Sequence, residues 1–137
     1  MQQLTRSELR KIIMTILYQI NVYEDNKIKY DINDVIKESL EIDNDFVKDA
    51  VYGVITNQTE IDNLINKYLN NWTLSRLGFT DQAIFRLAVY ELNYTNTPPV
   101  VVINEALELA KDYSDDDVKK MINGVLDKIY HEKVNNE

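Results

Sequence analysis

Residues 98–129, PPVVVINEALELAKDYSDDDVKKMINGVLDKI, decide the fold. Pro98-Pro99 suits the first turn of a helix, where a missing N–H costs nothing. Ile103, Ala106, Leu107 and Ala110 then recur at helical spacing. Val100–Val102 resembles a strand in isolation, but the stripe continuing through Ala110 makes one extended helix the better reading. A second stripe follows in Val118, Met121, Ile122, Val125, Leu126 and Ile129. Between them, Ser114 reads as an N-cap and Asp115, Asp116 and Asp117 as first-turn carboxylates stabilised by the helix dipole. Asn104, Glu105 and Asn123 lie near the apolar stripes and are expected to tie helix ends and neighbouring backbones together, with Gly124 allowing close approach. Asp117, Met121, Gly124 and Lys128 form one strip beside the core stripe, with Lys120 adjacent.

Working outward, the same periodicity recurs. Thr5 and Glu8 make a capping box before Leu9, Ile12, Ile13, Ile16, Leu17 and Ile20. Arg6, Arg10, Met14 and Tyr18 run down a neighbouring face, with Ser7 and Lys11 beside them; from the pattern alone this is a solvated surface with one exposed tyrosine. A short helix is expected over Ile32–Leu40, and another after Asp43 or Asn44, with Gly53 permitting a close helix contact. A further helix carries Ile61, Leu64, Ile65, Tyr68 and Leu69, broken by Asn70-Asn71. Trp72, Leu74, Leu77 and Phe79 read as a compact apolar turn closed by Gly78. Thr80 is the expected cap of a helix whose wide apolar surface predicts a central position. Arg86 and Glu91 on that helix need partners, because an unpaired buried charge is costly, and they read as a structural ion pair. No strand-like alternation persists. The expected fold is an all-α bundle of about seven helices with short connections, one domain over 1–137 with a frayed tail from His131.

Composition excludes several functions. The 137 residues are 45% apolar and 28% charged, so a packed core is affordable without staples. No cysteine is present, which removes disulfides, thiolate metal sites and cysteine nucleophiles. Without a signal-peptide run or a membrane-length apolar stretch, a cytoplasmic location is expected. The sole histidine, His131, lies in the expected tail, and the glycines at 53, 78 and 124 make no phosphate loop. Asp115–Asp117 lacks the alternating ligands of a calcium loop, and Glu105 with Glu108 is an unsupported acid–base pair. No metal or cofactor is expected, nor an enzyme. The net charge of -8 argues against a bulk nucleic-acid binder. Its distribution is uneven, however: Arg6, Arg10 and Lys11 face only Glu8 in residues 1–23, while residues 24–49 carry nine acids and four bases.

Read together, VVINEALELAKDY and KMINGVLDKI resemble the C-terminal signature of the NusB family of bacterial transcription antitermination factors. DQAIFRLAVYEL resembles the family's central helix, and WTLSRL and RSELRKIIMTILYQI precede it in matching order. The resemblance spans nearly the whole chain and implies an all-α fold of two packed helical sub-bundles. It also implies a non-enzymatic role: binding single-stranded boxA RNA of ribosomal-RNA leaders as a heterodimer with NusE, a small-subunit ribosomal protein, with other Nus factors and RNA polymerase engaged indirectly. The matching RNA-contact positions are Arg6, Arg10, Lys11 and Tyr18 near the N-terminus, and Asp117, Lys120 and Met121 on the last helix. The partner-binding face would surround Arg76 and Asp81. Cations there can meet phosphates, Tyr18 can stack on an unpaired base, and Asp117 can accept from a base edge. Two departures stand out. Ser7 and Glu8 interrupt the arginine run, and Met121 replaces a base-contacting aromatic; both predict weaker RNA binding alone and greater reliance on a basic partner. The alternative is a helical protein-interaction module with little intrinsic RNA binding. A link to the NusB-like domain of ribosomal-RNA cytosine methyltransferases would need a cofactor-binding domain beyond this sequence.

Overall fold

A computed structural model describes residues 3–135. Seven α-helices follow in order: α1 (Arg6–Asp25), α2 (Ile32–Ser39), α3 (Asp45–Thr56), α4 (Gln58–Tyr68), α5 (Phe79–Tyr94), α6 (Pro99–Tyr113) and α7 (Asp116–Asn135). One 3-10 turn, Leu74–Arg76, joins α4 to α5, and no strand occurs among the described residues. The expected capping box closes the start of α1, Asn44 caps α3, and Pro98 and Pro99 open α6. Asn71 takes a left-handed φ of 65° just beyond α4, which explains the break read at Asn70-Asn71.

Two caps differ from expectation. Gly78, not Thr80, precedes α5. Asp115, not Ser114, caps α7: its carboxylate accepts from Val118 N at 2.9 Å. Ser114 instead ends α6, and its hydroxyl donates to Asp81. A short acidic side chain serves the N-cap as well as a hydroxyl does, so composition left the choice open by one residue.

The helices pack as two groups sharing α5. On one side α1 packs on α2, α3 and α5; on the other α4, α5, α6 and α7 pack together. The continuous buried stretch Gln82–Val89 in α5 reflects contact from both sides. Phe85, Ile13, Ile16, Ile61, Ile65 and Ile122 are among the largest fully buried side chains. Gly53 earns its place on α3, because a Cβ there would lie 2.1 Å from the Tyr90 ring. Gly124 does not act as expected: a Cβ there would meet nothing within 4 Å, so it brings no helix close.

The polar residues of the opening stretch divide as well. Glu105 bridges helices, whereas Asn104 and Asn123 are exposed and enter no side-chain hydrogen bond found among the described residues. Nor does the chain fray at His131. Helix α7 runs on to Asn135, with Glu132 accepting from Lys67 and Tyr68 and Lys133 Nζ donating to Leu92 O at 2.8 Å. Residues 136–137 of the expected tail lie outside the described part.

Candidate nucleic-acid interface

Helix α1 presents two chemistries on adjoining faces. Leu9, Ile13, Ile16, Leu17 and Ile20 are buried, and so are Arg10 and Met14. The reading of Arg10 and Met14 as solvated surface is therefore corrected. The sequence does carry the signal: Arg10, Ile13, Met14 and Leu17 are spaced i, i+3, i+4, i+7, the spacing of one buried face. Lys11, Thr15 and Tyr18 lie on the next face and are exposed.

Arg10 is committed to the interior. Its Nε donates to Glu91 at 3.0 and 3.1 Å, and its Nη1 lies 3.6 Å from Glu105. Its side chain is 5% exposed and that of Glu91 2%. Ser7 Oγ also donates to Glu105 at 2.7 Å, so α1, α5 and α6 share one charge network. Burial pushes the Glu91 carboxyl above its ordinary pKa, and Arg10 opposes that rise. A guanidinium so held is engaged with carboxylates of its own fold, unlike the exposed cations expected beside it.

Arg86 and Glu91 do not pair with each other. They are five positions apart, about 140° around the helix at 3.6 residues per turn, and so face different neighbours. Arg86 makes a two-pronged pair with Asp62 of α4, at 2.9 and 3.0 Å.

The remaining residues distribute as follows. Arg6 is exposed, its guanidinium carbon 4.1 Å from the Phe46 ring centroid. Lys11 Nζ lies 5.5 Å from the Tyr113 ring at the end of α6, and its interaction with Tyr113 holds the lysine pKa above its ordinary value. Tyr18 is 40% exposed and meets Phe79 edge-on at 6.4 Å. Asp81, two residues beyond Phe79, accepts from Ser114. Contacts thus run from Tyr18 through the start of α5 to the α6–α7 turn, while Lys11 reaches the same turn through Tyr113. Asp117 and Lys120 are exposed on the opening turns of α7, and Met121 is half-buried against the core. The α1 face and the start of α7 are joined through this turn; α1 and α7 do not themselves pack as a helix pair.

Tyr113 is the residue that sequence reading missed. It lies outside both apolar stripes, and only packing places it beside Lys11. At the expected partner face, Arg76 is exposed with its guanidinium carbon 5.7 Å from the Trp72 ring, which is itself 43% exposed. Asp81 is half-buried and already engaged by Ser114. Among the described residues no group of three or more His, Cys, Asp or Glu is placed to hold a metal ion, and no helix is long and apolar enough to cross a membrane.

Fold and surface together define a class: an all-helical protein that exposes cations and aromatic rings on α1, α6 and α7. The particular family follows from comparison with known proteins. The NusB family model matches residues 7–131. The transcription antitermination protein NusB of Acetivibrio thermocellus is 40% identical over 131 residues, covering 94% of this chain and 90% of that protein. NusB of T. maritima superposes with a TM-score of 0.82 at 33% identity, over 96% of this chain and 94% of that one. A chain from the crystal structure of antitermination factors NusB and NusE in complex with dsRNA gives 0.78 at 28% identity, over 92% and 96%. The chain belongs to the NusB family.

Proposed function

We propose that this chain is a NusB-type transcription antitermination factor that binds boxA RNA of ribosomal-RNA leaders jointly with NusE. In this role it aids read-through by RNA polymerase with the other Nus factors. The observation that carries the reading is the family match across residues 7–131, which spans all seven helices save Arg6 of α1 and the last turn of α7. The protein acts by binding, in the cytoplasm, without catalysing a reaction.

The chemistry supports the reading. Arg6, Lys11 and Lys120 are exposed cations able to meet phosphates, each adding to the salt dependence of binding. Tyr18 and Tyr113 expose rings on which unpaired bases can stack, while Met121 offers a flexible apolar contact. Asp117 can accept from a base amino group. NusE would dock around Arg76 and Trp72, with Asp81 engaged by the Ser114 hydroxyl rather than touching the partner. A titration of boxA RNA with and without NusE, against scrambled RNA, tests the proposal. Sequence-dependent binding enhanced by NusE is the expected result; equal binding of both RNAs would reject it.

Burial of Arg10 favours one variant of this reading. With that cation spent inside the fold, the chain alone offers few phosphate contacts and NusE supplies much of the positive charge. In the limiting form it is a protein-interaction module of the transcription machinery. Capture of NusE with no RNA enhancement would establish that form.

A further inference from the structure

At the other end of α6 from the strip, a cavity of about 510 Å³ opens between the first turn of α1, the start of α3 and the α5–α6 connection. Its walls include Arg6, Phe46, Asp49, Asn96, Thr97 and Glu105, and Arg10 lies at its floor. The volume falls within the range of small-ligand sites. None of the residues that would form the strip, except Arg6, belongs to it.

The lining has the composition a nucleobase needs. Arg6 already lies over the Phe46 ring, and a base added to a guanidinium–ring pair continues the stack. Asn96 and Thr97 can both donate and accept. Asp49 is exposed, and Glu105 uses its Oε1 for Ser7 and Arg10 while its Oε2 makes no hydrogen bond found among the described residues. The two carboxylates of the lining, Asp49 and Glu105, balance the guanidiniums of Arg6 and Arg10, so the cavity is near neutral and its carboxylates can accept from an exocyclic amino group. Arg6 is exposed as well as lining the cavity, so the edge of its guanidinium can meet a phosphate while its face stacks on Phe46.

We propose that this cavity is a nucleotide subsite that takes one unpaired, amino-bearing base from RNA flanking the segment on the strip, leaving that nucleotide's phosphate at Arg6. The proposal rests on the RNA reading above. Adenine, cytosine and guanine can turn an amino group with two N–H donors to Asp49 and Glu105; uracil offers a single N3–H flanked by two carbonyl oxygens, which the carboxylates repel, and is disfavoured.

The test uses the chain with NusE and three RNAs: boxA alone, boxA with an adenosine extension and boxA with a uridine extension, each extension tried at either end. An adenosine extension at one end should tighten binding about tenfold, the scale of one stacked base, and uridine should add far less. The changes Asp49→Ala and Asn96→Ala should abolish the adenosine gain while leaving binding of boxA alone unchanged; both sites are exposed, so the fold is retained. 2-Aminopurine at the extending position should lose fluorescence on binding the unaltered chain and keep it in the variants. Equal gains from adenosine and uridine, an undiminished gain in the variants, or a change in NusE binding with no change in the extension effect would each overturn the subsite. Failure of boxA alone to bind would remove the RNA reading itself, and the subsite with it.

Discussion

Arg10 and Lys11 adjoin in the chain and live in different regions of the molecule. Arg10 sits in a buried junction of α1, α5 and α6, held by Glu91 and Glu105. Lys11 stands on the open strip beside Tyr113, exposed to water. In the junction, charge is a structural commitment. Taking ions from water costs several kcal/mol each, offset only by close pairing. On the strip, charge is lightly held and screened by salt, which leaves it free for a ligand. A step of 100° around one helix therefore separates a residue that positions helices from one that can bind.

The sharpest way to break this contrast is to remove one member of the junction. Arg10→Ala leaves Glu91 buried without its counter-charge and should destabilise the fold by about 3–5 kcal/mol in chemical denaturation. The loss should shrink in acid. In the variant, the Glu91 pKa stands still further above its unfolded value, so the folded state binds the extra proton. Stability then falls as pH rises through the window above the ordinary carboxylate pKa and recovers as pH is lowered into it. A pH-independent loss would mean that Arg10 acts by packing alone.

Next in size is the close approach of α3 to α5. Gly53→Ala gains about 1 kcal/mol of helix propensity but drives a methyl into the Tyr90 ring, an overpacking cost of about 1–3 kcal/mol. A net loss near 1 kcal/mol is expected, turning to a gain in a Tyr90→Ala background. Additive effects in that double-mutant cycle would show that the ring and the glycine are not coupled. Gly124→Ala sharpens the point from the other side. With open space around it, the same change should stabilise by up to about 1 kcal/mol.

The smallest effects on stability belong to the strip, where the effects on binding should be largest. Lys11→Ala and Lys120→Ala should each move the unfolding free energy by no more than about 0.5 kcal/mol. Each should also flatten the dependence of log affinity for boxA RNA on log salt by about 0.7, the value for one phosphate contact of a single strand. An unchanged slope would take that lysine out of the interface. Arg10→Ala, in conditions where it folds, should leave the slope unaltered.

Helix positions were legible because apolar periodicity is written locally, and the seven helices, the capping box and the Pro98-Pro99 entry all follow from it. The tight glycine at 53 was legible too, since a glycine inside an apolar helical stripe needs a packing reason. Asp115 and Gly78 displaced the expected caps by a residue or two, because Ser, Thr, Asp and Gly all suit an N-cap and stand close together at both places. The end of α7 was misread because Glu132 and Lys133 look like a polar tail until α4 and α5 are placed beside them.

By itself, then, the sequence determined an all-helical chain with α5 at its centre, an uneven charge distribution and a family signature in its C-terminal stretch. Each depends on spacing along one helix or on residue types in fixed order. The tertiary structure alone decided which charges are spent and which are available. Glu91 is bound to Arg10 rather than Arg86, Ser114 serves Asp81 rather than the next helix, and Tyr113 meets Lys11 across 102 positions of chain. Those pairings depend on how helices cross. No local pattern encodes whether a cation meets a carboxylate or water.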